Sequence, residues 1–190
     1  MKALIFLLLI SLSGTSSKAE ISKAAKSKDT TTLALKNYRE LFGALAIATK
    51  LDPTTPEIAN YYQQVIGQLP RNGTLVEFNS QSLIGSVGLA SAFCKRVIYQ
   101  DAELNVPKSG LNQGIDFTKS PAMVTDEKLV LLIKNYSTAF LQRSPTASEQ
   151  KTLSTLFKSQ GLADPTSLGT RTAVLAVCTG IAGSFEFLAN

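Results

Sequence analysis

Ser148-x-x-Lys151 is the spacing in this 190-residue chain that matches a nucleophile arrangement. Penicillin-recognising enzymes use a lysine one helical turn after a serine to help activate the hydroxyl. The accompanying Ser-x-Asn and Lys-Thr-Gly elements are missing. The pair also falls in the first turns of a helix opened by Thr146, so a solvated helix surface is expected there. A histidine-free glycosidase needs two carboxylates across a cleft. The close acidic pairs are Asp101/Glu103, in an irregular stretch, and Asp126/Glu127, which a helix N-terminus explains. With no histidine, Ser-His-Asp and Cys-His catalysis, histidine metal sites and CxxCH haem attachment are excluded. There is no calcium loop, Walker loop or GxGxxG. No catalytic residue, metal site or cofactor is expected.

The elements that would position any site read as helices. Thr30–Thr49 carries Leu35, Tyr38, Leu41, Leu45 and Ala48 at steps of three and four, the stripe of an amphipathic helix. Asp52-Pro53 breaks it, and Thr54 with Glu57 predicts a capping box for the next helix. Pro70-Arg71-Asn72-Gly73 ends that helix, Thr74–Phe78 reads as part of a link, and a small-residue helix follows from Ser80 to about Tyr99. Residues 101–124 hold Pro107, Gly110, Gly114 and Pro121 and read as a linker or surface wrap. Thr125 caps an apolar helix to Leu141. Thr146 with Glu149 repeats the capping box, Gly161 ends that helix, and the last one covers Thr172–Leu188. Tyr38, Phe42, Tyr61, Tyr62, Phe140 and Phe157 are expected in the core. Asn72 and Asn135 head formal glycosylation sequons.

This order is one pattern stated twice. Residues 53–94 align with 145–186 at a fixed offset of 92 with nine identities and no gap, including Gly88/Gly180, Ala90/Ala182 and Phe93/Phe185. A fixed offset points to a duplicated helical unit. The expected fold is therefore all-α: two fused three-helix units, 30–100 and 125–190, with a pseudo-twofold packing of the last helix of each. Cys94 lies four residues after Ala90 and Cys178 four before Ala182. If these helices pack antiparallel with the alanines facing, both cysteines fall at one height on one face. A Cys94–Cys178 disulfide is the expectation, with Gly88, Ala90, Gly180 and Ala182 letting the backbones approach.

Compartment follows from the N-terminus. Lys2, the apolar run Ala3–Leu12 and Ser17-Lys18-Ala19 form a signal peptide with cleavage expected after Ala19. The apolar run is shorter than the roughly 20 residues a membrane-spanning helix needs. The mature chain, 171 residues with a polar leader over 20–29, is expected in the periplasm or secreted, without a transmembrane span. An exported cysteine pair fits a disulfide. Loss of Lys2 and Lys18 leaves 17 basic against 14 acidic residues, a formal +3. That excess is too small and scattered for nucleic-acid binding.

Leu141-Gln142-Arg143-Ser144-Pro145-Thr146-x-x-Glu149, with Ala182-Gly183-Ser184-Phe185-Glu186-Phe187, resembles two bacterial helical modules. One is a small domain of unknown function in cell-surface proteins, with an Arg-x-Pro turn and a terminal Ser-x-Glu-Phe. The other accompanies haem-binding regions in large secreted planctomycete-type proteins. The resemblance covers the second unit. The first departs from it, with Lys50-Leu51-Asp52-Pro53 at the turn and Phe93-Cys94-Lys95 at the ending. The haem motif is missing, so haem chemistry does not carry over. The resemblance implies an exported helical module for attachment or assembly. The function expected is a non-catalytic interaction or structural module of the bacterial envelope, binding a protein or envelope component, with 101–124 as the place of contact. A carrier holding a small apolar ligand between the units is the alternative.

Overall fold

A computed structural model describes residues 36–66, 80–104 and 109–189, with the side chains of 80, 81 and 104 left aside. The expected signal peptide, the 20–29 leader, Pro70–Gly73, Thr74–Phe78 and the Asn72 sequon lie outside the described residues. The described chain is all-helical: α1 (Tyr38–Thr49), α2 (Pro56–Ile66), α3 (Ser80–Leu104), α4 (Asp126–Leu141), α5 (Ala147–Ala163), α6 (Ser167–Ala182) and α7 (Phe185–Ala189), with a 3₁₀ turn at Pro121–Met123. Residues 33–190 form one compact unit.

α3 and α6 lie at the centre. α1 and α2 pack on α3, α4 and α5 pack on α6, and α3 packs on α6. Cys94 and Cys178, both fully buried, are joined in a disulfide with Cα atoms 5.9 Å apart. From that bond, stepping back along α3 to Val87 corresponds to stepping forward past α6 to Gly183. A Cβ on Gly183 would lie 3.2 Å from Val87. The two helices therefore run antiparallel. Ala90 and Ala182 are fully buried. Crosslinking residues 84 apart removes unfolded-chain freedom worth roughly 4 kcal/mol.

Gly88 and Gly180 do not serve the α3–α6 crossing as expected. Each lies two residues before its alanine, about 200° round the helix, and so faces away from the crossing. Gly88 opens towards α2, where an added Cβ would meet the Tyr61 hydroxyl at 1.9 Å. Gly180 opens towards α5, 3.7 Å from Leu153 and Leu156.

Helix ends differ from expectation in five places. α1 starts at Tyr38 and not at Thr30, because Asn37 and Glu40 form a capping box there. α2 starts at Pro56, so the Thr54–Glu57 box is replaced. Proline at the first helical position moves the cap to Thr55, whose carbonyl accepts from Ala59 N at 2.9 Å. Thr54 instead gives its N–H and hydroxyl to the Asp52 carboxylate at 2.8 and 2.7 Å. α3 continues five residues past Tyr99. α5 runs through Gly161 to Ala163, and a Cβ at Gly161 would press to 2.6 Å on Pro121. The final helix starts at Ser167 and breaks at Gly183-Ser184 into α7.

Residues 109–124 are built into the core. Leu111, Ile115, Phe117 and Pro121 are buried. Buried Asp101 accepts from the Ser109 hydroxyl at 2.8 Å and the Asn112 amide at 3.0 Å. Asn112 in turn accepts from the Tyr136 hydroxyl at 2.6 Å, and burial pushes that phenol's pKa far up. Gly110 and Gly114 take φ of 73° and 85°, left-handed turns that glycine adopts without steric cost. Tyr38, Phe140 and Phe157 are core residues, while Phe42, Tyr61 and Tyr62 are partly buried against it.

Candidate functional site

α1 ends at Thr49 and α4 at Leu141, positions 92 apart. The next residues, Lys50 (φ 55°) and Gln142 (φ 59°), are the only non-glycine residues with positive φ among those described. The two chain turns that enter α2 and α5 thus begin alike. They diverge at the following residue, which is Leu51 in one and Arg143 in the other.

Arg143 is the centre of a clamp. Its guanidinium donates from Nη1 and Nη2 to Glu149 at 2.9 and 2.7 Å, from Nε to Glu186 at 2.7 Å, and from Nη2 to the second Glu186 oxygen. It also donates to the Ser144 carbonyl at 3.1 Å. Two bidentate charge-assisted pairs on one planar fork suit arginine and no other side chain. Glu149 completes the cap of α5: Thr146 Oγ1 accepts from Glu149 N at 3.2 Å, and the carboxylate accepts from Thr146 N at 2.7 Å. Hydrogen bonds from Arg143, then Thr146, hold the Glu149 carboxyl at a pKa of about 2. Hydrogen bonding to Arg143 lowers Glu186 as well and raises the guanidinium. Glu186 sits on α7, so the clamp ties the α4–α5 turn to the end of the fold. Arg143, Glu149 and Glu186, three of the residues on which the sequence resemblance rests, are joined here in one ion cluster.

Around this clamp lies a small cleft of about 220 Å³, lined by Glu149, Leu153, Gly180 and Ser184 among others. Counting back 92 residues from those four gives Glu57, Tyr61, Gly88 and Ala92. All four line a larger cleft between α2 and α3, of about 620 Å³. The positions are shared and the chemistry is not. In the α2–α3 cleft Leu51 replaces the arginine and Cys94, held in the disulfide, stands where Glu186 does. Glu57 is exposed and has no ion-pair partner among the described residues.

α3 adds further groups on the same stripe. Lys95, Arg96, Tyr99 and Glu103 continue the lining from Gly88 and Ala92 at helical spacing. Lys95 lies 5.7 Å from the Tyr99 ring centroid, and Arg171 of α6 lies 5.9 Å from it. Both are within cation–π reach. None of Lys95, Arg96 and Arg171 forms an ion pair among the described residues. The Arg171 Nε is buried with no hydrogen-bond partner. The cleft therefore presents two carboxylates, Glu57 from α2 and Glu103 from α3, and two cations from α3 along a tyrosine-walled groove, open to solvent.

Of the other expected groups, Ser148 lines the smaller cleft and Glu103 the larger. Ser148 and Lys151 are exposed on α5 with no hydrogen bond between them, and Lys151 contributes its carbonyl to Thr155 Oγ1. Asp126 pairs with Lys158 at 2.8 Å, and the Thr125 hydroxyl lowers Glu127. Asp101 and Glu103 do not act as a pair: the first is buried in the Asn112 network and the second lines the cleft. Asn135 spends its amide on the Gly110 and Leu111 carbonyls. A third groove of about 490 Å³, between Pro121–Val124, α4 and α5, is mostly apolar, with Leu162 exposed beside Phe157 and Leu129. No group of three or more potential metal ligands occurs among the described residues, and none of their helices is long and apolar enough to cross a membrane.

Compared with known proteins, the chain matches no family model, no curated protein and no solved structure.

Proposed function

We propose that this chain is an exported, non-catalytic helical module of the bacterial envelope, built by internal duplication, whose α2–α3 cleft receives a partner. The observation that carries the reading is the unequal treatment of two clefts at positions 92 apart. One has its ionisable groups satisfied by the chain's own arginine. The other has lost that arginine, is wider, and leaves Glu57, Lys95 and Arg96 without ion partners. Charges that a fold does not use internally, gathered in a groove with aromatic walls, are the material of a recognition surface. Export is supported by the leader pattern of residues 1–19 and by a buried disulfide, which persists in oxidising compartments. Duplication is supported by the matched left-handed turns at Lys50 and Gln142 and by Gly88 meeting Tyr61 where Gly180 meets Leu153. The resemblance of the second half to helical modules of bacterial cell-surface and secreted proteins agrees with an exported role.

The test is amine-reactive crosslinking of the exported protein in its native cells, followed by mass spectrometry of crosslinked peptides. The reading expects one recurrent partner joined through Lys95. Recovery of the monomer alone, at native abundance, would contradict it. A second reading, carriage of a small apolar molecule, draws on the groove beside Phe157 and Leu162. It expects a lipid or other apolar molecule to accompany the purified protein in native mass spectrometry.

A further inference from the structure

We infer that the α2–α3 cleft seats an arginine of a partner polypeptide on Glu57, with an acidic side chain of the same segment taken by Lys95 and Arg96. The inference rests on the interaction reading above and names the chemistry of the partner. Its warrant is internal to the molecule. Glu149, 92 residues after Glu57, shows what a carboxylate at this place in the fold holds when satisfied: a guanidinium, bidentate, at 2.7 and 2.9 Å. At Glu57 the aligned position keeps its carboxylate, as the second residue of α2 where Glu149 is the third of α5, while Leu51 stands in place of the chain's own arginine. The carboxylate is exposed at the mouth of a cleft of about 620 Å³, so a guanidinium from outside can reach it.

The opposite charge on the partner follows from the next turns of α3. Lys95 and Arg96 occupy positions equivalent to Phe187 and Leu188, which in the second half are buried apolar residues of α7. The first half thus has, in place of a sealing hydrophobic contact, two cations without ion pairs among the described residues, Lys95 lying over the Tyr99 ring. A lone arginine entering beside them would meet repulsion, and a segment that brings its own carboxylate removes it. Glu103, at the far end of the groove, lies two turns beyond Arg96 on α3, on the side away from Glu57. Tyr61 and Tyr99 form the walls, and the Tyr99 ring is already approached by Lys95 and Arg171. Ile84, 72% exposed, lies one turn before Gly88 on the same stripe and offers the partner an apolar contact at the other end.

The experiment is a ¹H–¹⁵N NMR titration of the full mature chain with a capped Arg-Gly-Gly-Glu peptide, using capped Gln-Gly-Gly-Gln as control. The inference expects saturable shifts at the amides of Gly88, Ser91 and Ala92 with the charged peptide and none with the control. Glu57→Gln is expected to weaken binding roughly tenfold, the worth of one charge-assisted hydrogen bond. Glu57 is exposed, so this variant retains the fold, and its spectrum away from α2 serves as the check. Lys95→Gln with Arg96→Gln is expected to remove the dependence on the peptide's glutamate. Equal binding by Glu57→Gln, shifts outside the cleft, or absence of any shift would overturn the inference. A partner captured in cells through another face would keep the interaction reading and still sink this one.

Discussion

In the first half of the chain the residue after the left-handed turn is Leu51, and in the second it is Arg143. That difference changes how each following helix is held. Arg143 binds Glu149 at the start of α5 and Glu186 on α7, beside a cleft of about 220 Å³. Without it, the first half holds α2 by packing, Tyr61 over Gly88 and Phe42 against Tyr62 with ring centroids 4.2 Å apart. Its cleft stays open at about 620 Å³. The halves also end differently. α3 runs on through Tyr99 to Leu104, while the second half breaks at Gly183-Ser184 and folds α7 back against Phe140. One half pairs the charges at its cleft internally, and the other keeps charges there without ion partners among the described residues.

The largest effect should come from the bond between the halves. Cys94→Ala with Cys178→Ala is expected to cost about 4 kcal/mol, read as a lower urea midpoint that reductant no longer shifts. A loss under about 1 kcal/mol would mean that packing of α3 on α6 alone holds the halves together.

Next comes the clamp. Arg143→Leu copies the first half into the second. It should lower stability by less than the disulfide variant does, and should expose the α7 amides to hydrogen exchange. The clamp also carries a pH signature. Glu149 has a folded pKa of about 2 against an ordinary 4.5, so its contribution is fully present above about 4.5 and is lost as pH falls towards 2. Acid unfolding of the native chain over that window should be flatter in Arg143→Leu. Parallel acid titrations of the two proteins would place the stabilisation elsewhere.

Smaller effects test whether the two halves share one backbone plan. Lys50 and Gln142 each sit at positive φ, which costs a side-chain-bearing residue roughly 1 kcal/mol. Lys50→Gly and Gln142→Gly should therefore stabilise by similar amounts, up to about that figure. Opposite signs in urea unfolding would break the equivalence. Gly180→Ala adds a methyl at ordinary contact distance inside a helix and should stabilise by about 0.5–1 kcal/mol. Gly88→Ala must displace the Tyr61 hydroxyl, so that gain should be absent.

Much of this architecture could be read from residue patterns, because it rests on local signals. Apolar periodicity marks the helices, Thr146 and Glu149 mark a cap three residues apart, and the opposite four-residue spacing of Cys94 from Ala90 and of Cys178 from Ala182 marks the disulfide. The misreadings have physical causes. Pro56 was a competing start signal that outweighed Thr54. Asp101 falls in a stretch that reads as a loop, yet it belongs to α3 and is buried where the 109–124 segment returns to give it Ser109 and Asn112 as partners. Gly88 and Gly180 were assigned to the wrong helix face, an error of about half a turn. The clamp itself joins residues 43 apart, and no short spacing reveals that Arg143 reaches Glu186. A signal for it existed in the aligned halves: Arg143 and Glu186 both lack counterparts in the first unit, as two members of one cluster should.

The most direct test of the account places the same photo-crosslinking amino acid at Ala92, which lines the larger cleft, and at Ser148, which lines the smaller one. Both variants are illuminated in the native cells and the products compared. The account predicts a discrete heavier adduct from Ala92 and only monomer from Ser148. Equal capture from both positions, or capture from Ser148 alone, would contradict the claim that the first-half cleft is the one kept for a partner.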